Sequence, residues 1–204
     1  MRRVDVARVL GQETTTEDLF VSSIGGILDD WWNHRPGGQD NTLSVSILGS
    51  VSSTALGLAI ALPHRRIVAI ETDGSMLMNL GVLCTLGSER PPNLTVVVLD
   101  NGLYECIGSA PTLTSRNADL ELIAAGAGCP NSLTVRGEVD LRDALRTQLN
   151  DNQLGFIVAK IEPGMQVWPQ DLKRYTDGVE DKYRFIRHVE RLENIVVHAS
   201  SPHV

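Results

Sequence analysis

Cysteine motifs and long hydrophobic runs are both missing from this chain of 204 residues. The three cysteines, Cys84, Cys106 and Cys129, have no Cys-x-x-Cys spacing and make an odd number, which argues against a zinc site and a disulfide framework. The longest apolar-rich stretch, 53–63, is about half the roughly 20 residues that a membrane-spanning helix needs. No apolar segment of the kind found in secretion signals follows the arginines near the N-terminus. We therefore expect a soluble protein of the cytoplasm.

An excess of positive charge is missing as well. The chain carries 18 lysines and arginines against 25 aspartates and glutamates, a formal net charge of −7. Binders of nucleic acids and of anionic membranes usually present a basic face, so this balance argues against both as partners. Hydrophobic residues make up 42% of the chain and charged residues 21%, values that suit one globular domain with a short appendage.

Strand-like and helix-like segments alternate along the chain. The run at 94–99, LTVVVL, is apolar throughout, as strands covered on both faces of a parallel sheet are. The alternation predicts an α/β, three-layer fold with a central, mostly parallel sheet covered by helices on both faces. The predicted strands are 19–24, 66–71, 94–99, 132–135 and 155–161, and the predicted helices are 49–62, 76–86, 118–127, 139–149 and 180–194.

Three predicted loops that follow strands share a composition rich in Gly, Ser, Asp and Asn. They are 23–26, 72–75 and 100–103. Ligands of open parallel sheets bind at the carboxyl ends of strands, so these loops form the predicted site. Backbone N–H groups at a helix N-terminus, such as those of Gly74 and Ser75, bind anions.

Asp73 lies in the same loop and would repel a bare phosphate. A divalent cation between the carboxylate and a phosphate removes this conflict, and Mg²⁺ prefers such oxygen ligands. Asn101, after the neighbouring strand, offers a second oxygen. The pattern therefore predicts a Mg²⁺–diphosphate site. Taken singly, each signal has a plainer explanation, because an Asp before a helix is more often an N-cap and an Asn-Gly after a strand is usually a turn.

The segment TDGSMLMNLG, followed by an apolar strand and DNGLYE, resembles the thiamine-diphosphate motif, which begins Gly-Asp-Gly and ends in Asn-Asn or Asp-Asn. The preceding GSVSSTALGLAIAL is similar to the segment that precedes the motif in the same family. The resemblance covers nearly the whole chain and is to the diphosphate-binding domain of thiamine-diphosphate-dependent enzymes. Within them it is closest to the group of sulfopyruvate decarboxylase β subunits and phosphonopyruvate decarboxylases.

The resemblance implies a set of ligand residues. The metal ligands would be the Asp73 carboxylate, the Asn101 side-chain oxygen and the Leu103 carbonyl. The Gly49 carbonyl would accept the amino group of the cofactor's pyrimidine, and Val51 would hold the cofactor in its bent form. The cofactor-binding residues implied in this way are Gly25, Gly49, Ser50, Val51, Asp73, Gly74, Ser75, Asn101, Leu103 and Tyr104.

The resemblance also implies a partner. The glutamate that activates the cofactor in this family belongs to a pyrimidine-binding domain, which this chain does not match. We therefore expect no complete set of catalytic residues here, and a separate α-type subunit in an α₂β₂ or larger assembly. The implied function is non-oxidative decarboxylation of a small 2-oxo acid to an aldehyde, with thiamine diphosphate and Mg²⁺ as cofactors. The alternatives are a carboligase subunit of the acyloin or acetolactate type, and a degenerate, non-catalytic subunit.

The sequence departs from the family pattern at several positions. Thr72 stands where the motif has its first glycine, which would strain the loop if that position needs a glycine conformation. The alternative is that threonine places a hydroxyl near the diphosphate. Ser52 replaces another glycine. Ile107 and Ala110 stand where the related decarboxylases have polar residues, which places an anionic sulfonate or phosphonate substrate in doubt.

Residues outside the predicted site have simpler interpretations. Trp31 and Trp32 are expected to pack in the core, and His34 is expected in a solvated loop. The composition becomes more charged after Pro163. We therefore expect a thiamine-diphosphate-binding domain at 1–162 and a C-terminal extension at 163–204, whose final helix packs on the same domain or on the partner.

Overall fold

The computed structural model describes residues 1–35, 40–164, 167–169 and 177–197. Its helices are α1 (Arg3–Glu13), α2 (Gly26–His34), α3 (Val51–Ala61), α4 (Asp73–Met78), α5 (Gly81–Glu89), α6 (Leu120–Gly126), α7 (Glu138–Gln148) and α8 (Gly178–Glu193). Its strands are β1 (Leu19–Ser23), β2 (Thr42–Val45), β3 (Ile67–Thr72), β4 (Leu94–Asp100), β5 (Leu103–Tyr104), β6 (Ala110–Pro111), β7 (Asn131–Val135) and β8 (Gly155–Lys160). No helix in these ranges is both long enough and apolar enough to cross a bilayer.

Six parallel strands form one sheet in the order β2-β1-β3-β4-β8-β7. The central strand β4 is buried along its whole length, because helices cover both faces of the sheet. The predicted α/β, three-layer fold with a central parallel sheet is therefore confirmed. A two-stranded antiparallel ribbon, β5-β6, lies outside the main sheet.

Successive residues of each strand alternate between two separate cores. In β3, Val68 and Ile70 face the core formed with α1, α2 and α7, whereas Ile67 and Ala69 face the core formed with α3, α5, α6 and α8. Trp31, which is fully buried in the first core, donates from Nε1 to Thr42 Oγ1 at 2.9 Å. The expected core packing of Trp31 and Trp32 is therefore confirmed.

Two helices, one strand of the main sheet and both strands of the ribbon were not predicted. The helix α1 has apolar residues at helical spacing, Val6, Val9 and Leu10, but charged residues between them obscure the pattern. Both α2 and β2 lie in a segment that begins with two glycines, which favour a turn. The expectation of a loop at His34 was wrong, because this residue ends α2 and its Nδ1 lies 2.9 Å from the Asp30 carbonyl oxygen.

The prediction of one buried helix at 76–86 was also wrong in part. The helix is interrupted at Asn79, between α4 and α5, and the Met78 side chain is 54% exposed. Asn79 has non-helical backbone angles, and its side-chain amide donates to the Gly49 carbonyl at 2.8 Å. Asn79 therefore bonds to the loop before α3 instead of continuing the helix.

The final helix, α8, packs on this chain. Phe185 and Val189 enter one of the two cores, and Asp181 accepts a hydrogen bond from Ser44 on β2. Residues 165–166, 170–176 and 198–204 of the predicted extension lie outside the described residues. The division of the chain at residue 162 stays a prediction.

Gly87 on α5 allows a close contact that a side chain would block. A Cβ at this position would lie 2.1 Å from the Ala127 carbonyl oxygen. We expect Gly87→Ala to lower the free energy of unfolding by about 1–3 kcal/mol, because the two segments must separate. Urea denaturation measures the change.

Gly126 on α6 provides the matched control, since nothing lies within 4 Å of a Cβ there. Gly126→Ala should leave the stability unchanged or raise it by up to about 1 kcal/mol through helix propensity. Equal effects of the two substitutions would contradict the close contact at Gly87.

Candidate functional site

The three Gly-, Ser-, Asp- and Asn-rich loops meet at one cavity of about 150 Å³. They follow β1, β3 and β4, which are adjacent in the sheet, so their carboxyl ends are neighbours. The predicted residues that line the cavity are Gly25, Asp73, Gly74, Ser75, Asn101, Leu103 and Tyr104. The structure therefore brings together most of the residues that the sequence selected.

Asp73 is the first residue of α4 and is only 2% exposed. Its Oδ2 accepts a hydrogen bond from Thr112 Oγ1 at 2.7 Å and lies 3.1 Å from Thr114 Oγ1. Within the described ranges it has no lysine, arginine or histidine at ion-pair distance. Burial raises the pKa of the Asp73 carboxyl, the nearby Asp100 adds to this, and the hydrogen bond from Thr112 opposes it.

Asp100 is buried beside Asp73 but has a cation of its own. Lys160, its register partner on β8, forms an ion pair with Asp100 Oδ2, and Thr114 Oγ1 donates to Asp100 Oδ1 at 2.7 Å. Each threonine hydroxyl has only one proton to donate, so Thr112 and Thr114 cannot satisfy all their carboxylate contacts at once. When both carboxylates are ionised, the single lysine leaves the cluster one positive charge short. A cation at Asp73 would supply that charge.

Asn101 and Leu103 form the turn that follows β4. The Leu103 N–H donates to Asn101 Oδ1 at 2.9 Å, and Gly102 between them has a φ of +72°, which favours glycine. Across the part of the chain that the structure describes, no three His, Cys, Asp or Glu side chains are close enough to bind a metal ion. A cation here therefore needs amide, carbonyl or ligand oxygens besides Asp73.

Gly74 and Tyr104 are in close contact. A Cβ at Gly74 would lie 2.4 Å from a carbon of the Tyr104 ring. The ring thus packs directly on the backbone at the start of α4, and glycine is required there for steric reasons. This explains the second glycine of the motif.

Thr72 does not strain the loop. Its φ of −121° and ψ of 155° are extended backbone angles, which any residue adopts. Its hydroxyl accepts a hydrogen bond from the Ser75 N–H at 3.4 Å and caps α4. The concern that threonine replaces a required glycine was therefore wrong. The Ser75 N–H, which the sequence predicted to bind an anion, donates to the Thr72 hydroxyl in this structure.

Three predicted residues, Gly49, Ser50 and Val51, are not among the residues that line the cavity. The Gly49 N–H donates to Ser75 Oγ at 2.9 Å, and the Gly49 carbonyl accepts from Asn79. Gly49 is thus hydrogen-bonded both to α4 and to the residue that follows this helix. Val51, the first residue of α3, is fully buried in the core. The expected contacts of these residues with the pyrimidine stay a prediction.

A buried carboxylate, Glu71, lies behind this segment. It is 1% exposed, and burial raises the pKa of its carboxyl. Ser52 Oγ donates to Glu71 Oε2 at 3.3 Å, which gives a role to the serine that replaces a family glycine. Glu71 thus joins α3 to the end of β3.

Sequence reasoning missed Arg3, Thr112, Thr114 and Lys160. Arg3 lines the cavity, pairs with the buried Asp30 at 2.6 Å and lies against Gly26. These side chains come from α1, β8 and the segment after β6, and local patterns do not show that they meet. Thr112 ends the segment GSAPT, which was noticed only for its resemblance, and Thr114 lies two residues further on.

The Ser23 hydroxyl tests whether the cavity fits a diphosphate. Ser23 is 1% exposed and lines the cavity, and in the described part of the chain its Oγ has no hydrogen-bond partner. A buried hydroxyl without a partner is unfavourable unless a ligand accepts its proton. Together with the buried, cation-free Asp73, it fits a ligand that brings both anionic oxygens and a cation.

Residues 28–159 match the family described as thiamine pyrophosphate enzyme, C-terminal TPP binding domain. Thiamine pyrophosphate is thiamine diphosphate under another name. The match covers more than half of the chain, so the chain belongs to this family. The predicted resemblance is therefore confirmed, and thiamine diphosphate is the cofactor of the family.

Individual relatives agree with this assignment. The chain is 29% identical over 196 residues to sulfopyruvate decarboxylase subunit beta of Methanocaldococcus jannaschii, with 93% of this chain and 98% of the relative covered. It is 36% identical over 167 residues to a sulfopyruvate decarboxylase of Methanosarcina acetivorans, with 80% of this chain and 42% of the relative covered.

The crystal structure of benzoylformate decarboxylase from Polynucleobacter necessarius is similar in fold. It has a TM-score of 0.67 and 20% sequence identity, with 81% of this chain and 34% of the other covered. This chain therefore corresponds to about a third of that larger protein. At this identity the likeness shows the fold alone.

Replacing Thr72 tests the local structure at the start of α4. We expect Thr72→Gly to lower the free energy of unfolding by about 1 kcal/mol, because it removes the cap and makes the unfolded chain more flexible. Thr72→Ser, which keeps the hydroxyl, should change it little. Urea denaturation compares the variants. A more stable Thr72→Gly would indicate that threonine is strained after all.

Proposed function

We propose that this chain is the diphosphate-binding subunit of a heteromeric 2-oxo acid decarboxylase that uses thiamine diphosphate and Mg²⁺. The observation that carries the proposal is the buried Asp73, which has no cationic partner in the described residues and faces a cavity in the position of the family's motif. A degenerate subunit would have no reason to keep this carboxylate buried, since an uncompensated buried charge destabilises the fold.

The chain's own residues would bind and orient the cofactor. The Asp73 carboxylate, the Asn101 side-chain oxygen and the Leu103 carbonyl would hold Mg²⁺, which favours oxygen ligands. Backbone N–H groups of Gly74 and of the Gly25 turn would bind the diphosphate, and Ser23 Oγ would donate its free proton to it. When bound, thiamine diphosphate accepts the electron pair that remains as CO₂ leaves the 2-oxo acid.

The Gly49 peptide would orient the pyrimidine. Its carbonyl is held in place by Asn79 and its N–H by Ser75. A carbonyl oxygen has two lone pairs, so it can accept from Asn79 and from a ligand amino group. Ser50 and Val51 follow directly at the start of α3 and fix this segment to the core.

The active site would be completed by a separate pyrimidine-binding subunit. The relative that this chain covers almost completely is named a subunit, and the chain covers less than half of the relative that is not. An apolar rim surrounds the cavity and suits a protein partner. It includes the exposed side chains of Ile24, Leu48 and Ile107. An α₂β₂ or larger assembly in the cytoplasm is part of the proposal, and the three cysteines are free thiols, as a reducing compartment requires.

The residues beside the cavity favour a 2-oxo acid without a second acidic group. Cys106 and Ile107 line the cavity, and Ala110 lies in the ribbon beside it. None of these three side chains offers a charged contact to a sulfonate or phosphonate. Arg3, which also lines the cavity, is already paired with Asp30 at 2.6 Å and lies 3.6 Å from Glu105. The proposed assay is therefore CO₂ release from a set of 2-oxo acids by the purified complex, with and without an aldehyde acceptor, so that a carboligation product is also detected.

Replacing Asp73 tests the proposed metal site. We expect Asp73→Asn to reduce both Mg²⁺-dependent binding of thiamine diphosphate and CO₂ release by at least about 100-fold, because the ligand that carries the charge is lost. Isothermal titration measures the binding. The control is Asp119→Asn at the exposed N-cap of α6, where asparagine caps equally well. Full cofactor binding by Asp73→Asn would refute the site.

A substitution on the exposed face of α3 tests the proposed contact with the partner subunit. Positions 41–63 contain no charged residue, and nothing lies within 4 Å of a Cβ at Gly57. Gly57→Leu should therefore leave the folding of this chain intact. In a close contact with the partner, the added side chain costs about 1–3 kcal/mol, so we expect association to weaken by about tenfold or more.

Native mass spectrometry of the complex, purified from its own source, measures this association. Gly126→Leu on α6, where a Cβ also meets nothing within 4 Å, is the control for an added surface leucine. If Gly57→Leu retains the partner as fully as the control does, α3 is not part of the interface.

A further inference from the structure

We infer that two residues outside the proposed ligand set position the cation: Thr112 orients the Asp73 carboxylate, and Lys160 prevents Asp100 from competing for the metal. This inference rests on the proposed function, because it concerns how the same site is held. It starts from the hydrogen bonds behind Asp73 and from the unequal surroundings of the two carboxylates.

Thr112 holds one oxygen of Asp73. Its buried hydroxyl donates to Asp73 Oδ2 at 2.7 Å, and its backbone N–H donates to the Gly102 carbonyl at 2.8 Å. The threonine is thus anchored to the turn that carries Asn101. Both threonine contacts fall on Oδ2, and the Gly74 backbone N–H also hydrogen-bonds this carboxylate. Since no side chain in the described ranges donates to Oδ1, this oxygen is the more open one to a cation. Thr112 therefore sets which oxygen binds and connects Asp73 to the Asn101 turn.

Both oxygens of Asp100 are already used. Lys160 pairs with Oδ2, while the Gly102 N–H at 3.1 Å and Thr114 Oγ1 at 2.7 Å donate to Oδ1. Without the lysine, a second uncompensated carboxylate would lie beside the site and attract cations itself. The register of β4 and β8 places Lys160 opposite Asp100. The parallel sheet therefore determines that Asp100, and not Asp73, pairs with the lysine.

Thr114 joins the two carboxylates. Its oxygen lies 2.8 Å from Thr112 Oγ1, as well as close to both Asp73 and Asp100. A displacement of Asp100 would therefore be transmitted to the hydroxyl that orients Asp73. Groups behind metal ligands of this kind commonly change metal affinity by about 10- to 100-fold.

Substitutions of the two residues should change Mg²⁺ binding in opposite directions. Thr112→Val removes the hydroxyl at nearly constant volume, and we expect it to weaken Mg²⁺-dependent binding of thiamine diphosphate by about tenfold. The Mg²⁺ concentration for half-maximal activity should rise, while kcat at saturating Mg²⁺ stays close to that of the wild type. Thr112→Ser should restore both values. Lys160→Met should instead tighten the binding of Mg²⁺ alone, because it leaves Asp100 uncompensated, and Lys160→Arg should not.

Isothermal titration of the full chain with Mg²⁺ alone, and with Mg²⁺ plus thiamine diphosphate, measures these changes. Thr95→Val, a buried threonine near the other end of β4, controls for a general loss of stability. Asp73→Asn serves as the reference. If it binds the cofactor normally, the proposed function fails. If it loses binding while Thr112→Val and Lys160→Met match the wild type, only the present inference is refuted.

Discussion

The buried carboxylate of Asp73 is the constraint on which the site depends. Only 2% of its surface is exposed, and Lys160, the lysine nearest in the hydrogen-bond network, pairs with Asp100 instead. Two threonine hydroxyls reduce the desolvation penalty but supply no net charge. The fold thus keeps a local charge deficit at the point where three loops meet. A divalent cation carried in with a diphosphate would remove it, and the unpartnered Ser23 hydroxyl lies in the same cavity.

The parallel sheet explains why the deficit lies where it does. Because the strands β1, β3 and β4 are neighbours and run in the same direction, their following loops share one edge. Polar residues in those loops are far apart in sequence, yet the hydrogen-bonded register brings them together. The opposite edge carries compensated charges, such as Arg66 with Asp18 at 2.7 Å. The two ends of the strands therefore differ: Asp18 has a cationic partner at one end, whereas Asp73 at the other end has none among the described residues.

Much of this arrangement could be predicted from local sequence. The central strands are apolar on both faces, so 66–71 and 94–99 stand out, and the loops after them carry the motif that identifies the family. The first helix was missed because Asp5 and Arg8 interrupt its apolar face. The partner of Arg8, Glu138 at 2.6 Å, lies far along the chain. Lys160 and Thr112 were missed for the same reason, since nothing within a few residues of either indicates that it meets a carboxylate. The concern about Thr72 was wrong because backbone angles, which sequence does not reveal, decide whether a residue other than glycine is strained.

The Gly49 peptide shows how the fold prepares for its ligand. Its two polar groups are held by Ser75 and Asn79, both from the segment that begins with Asp73. Ordering one residue costs about 1–2 kcal/mol of conformational entropy, and here that cost is met when the chain folds. Under the proposed function, a ligand that binds the diphosphate end of the site would find this peptide already rigid. Preorganisation of this kind would make the affinity for the ligand depend on the hydrogen bond from Asn79 to Gly49, although Asn79 has no direct part in the chemistry.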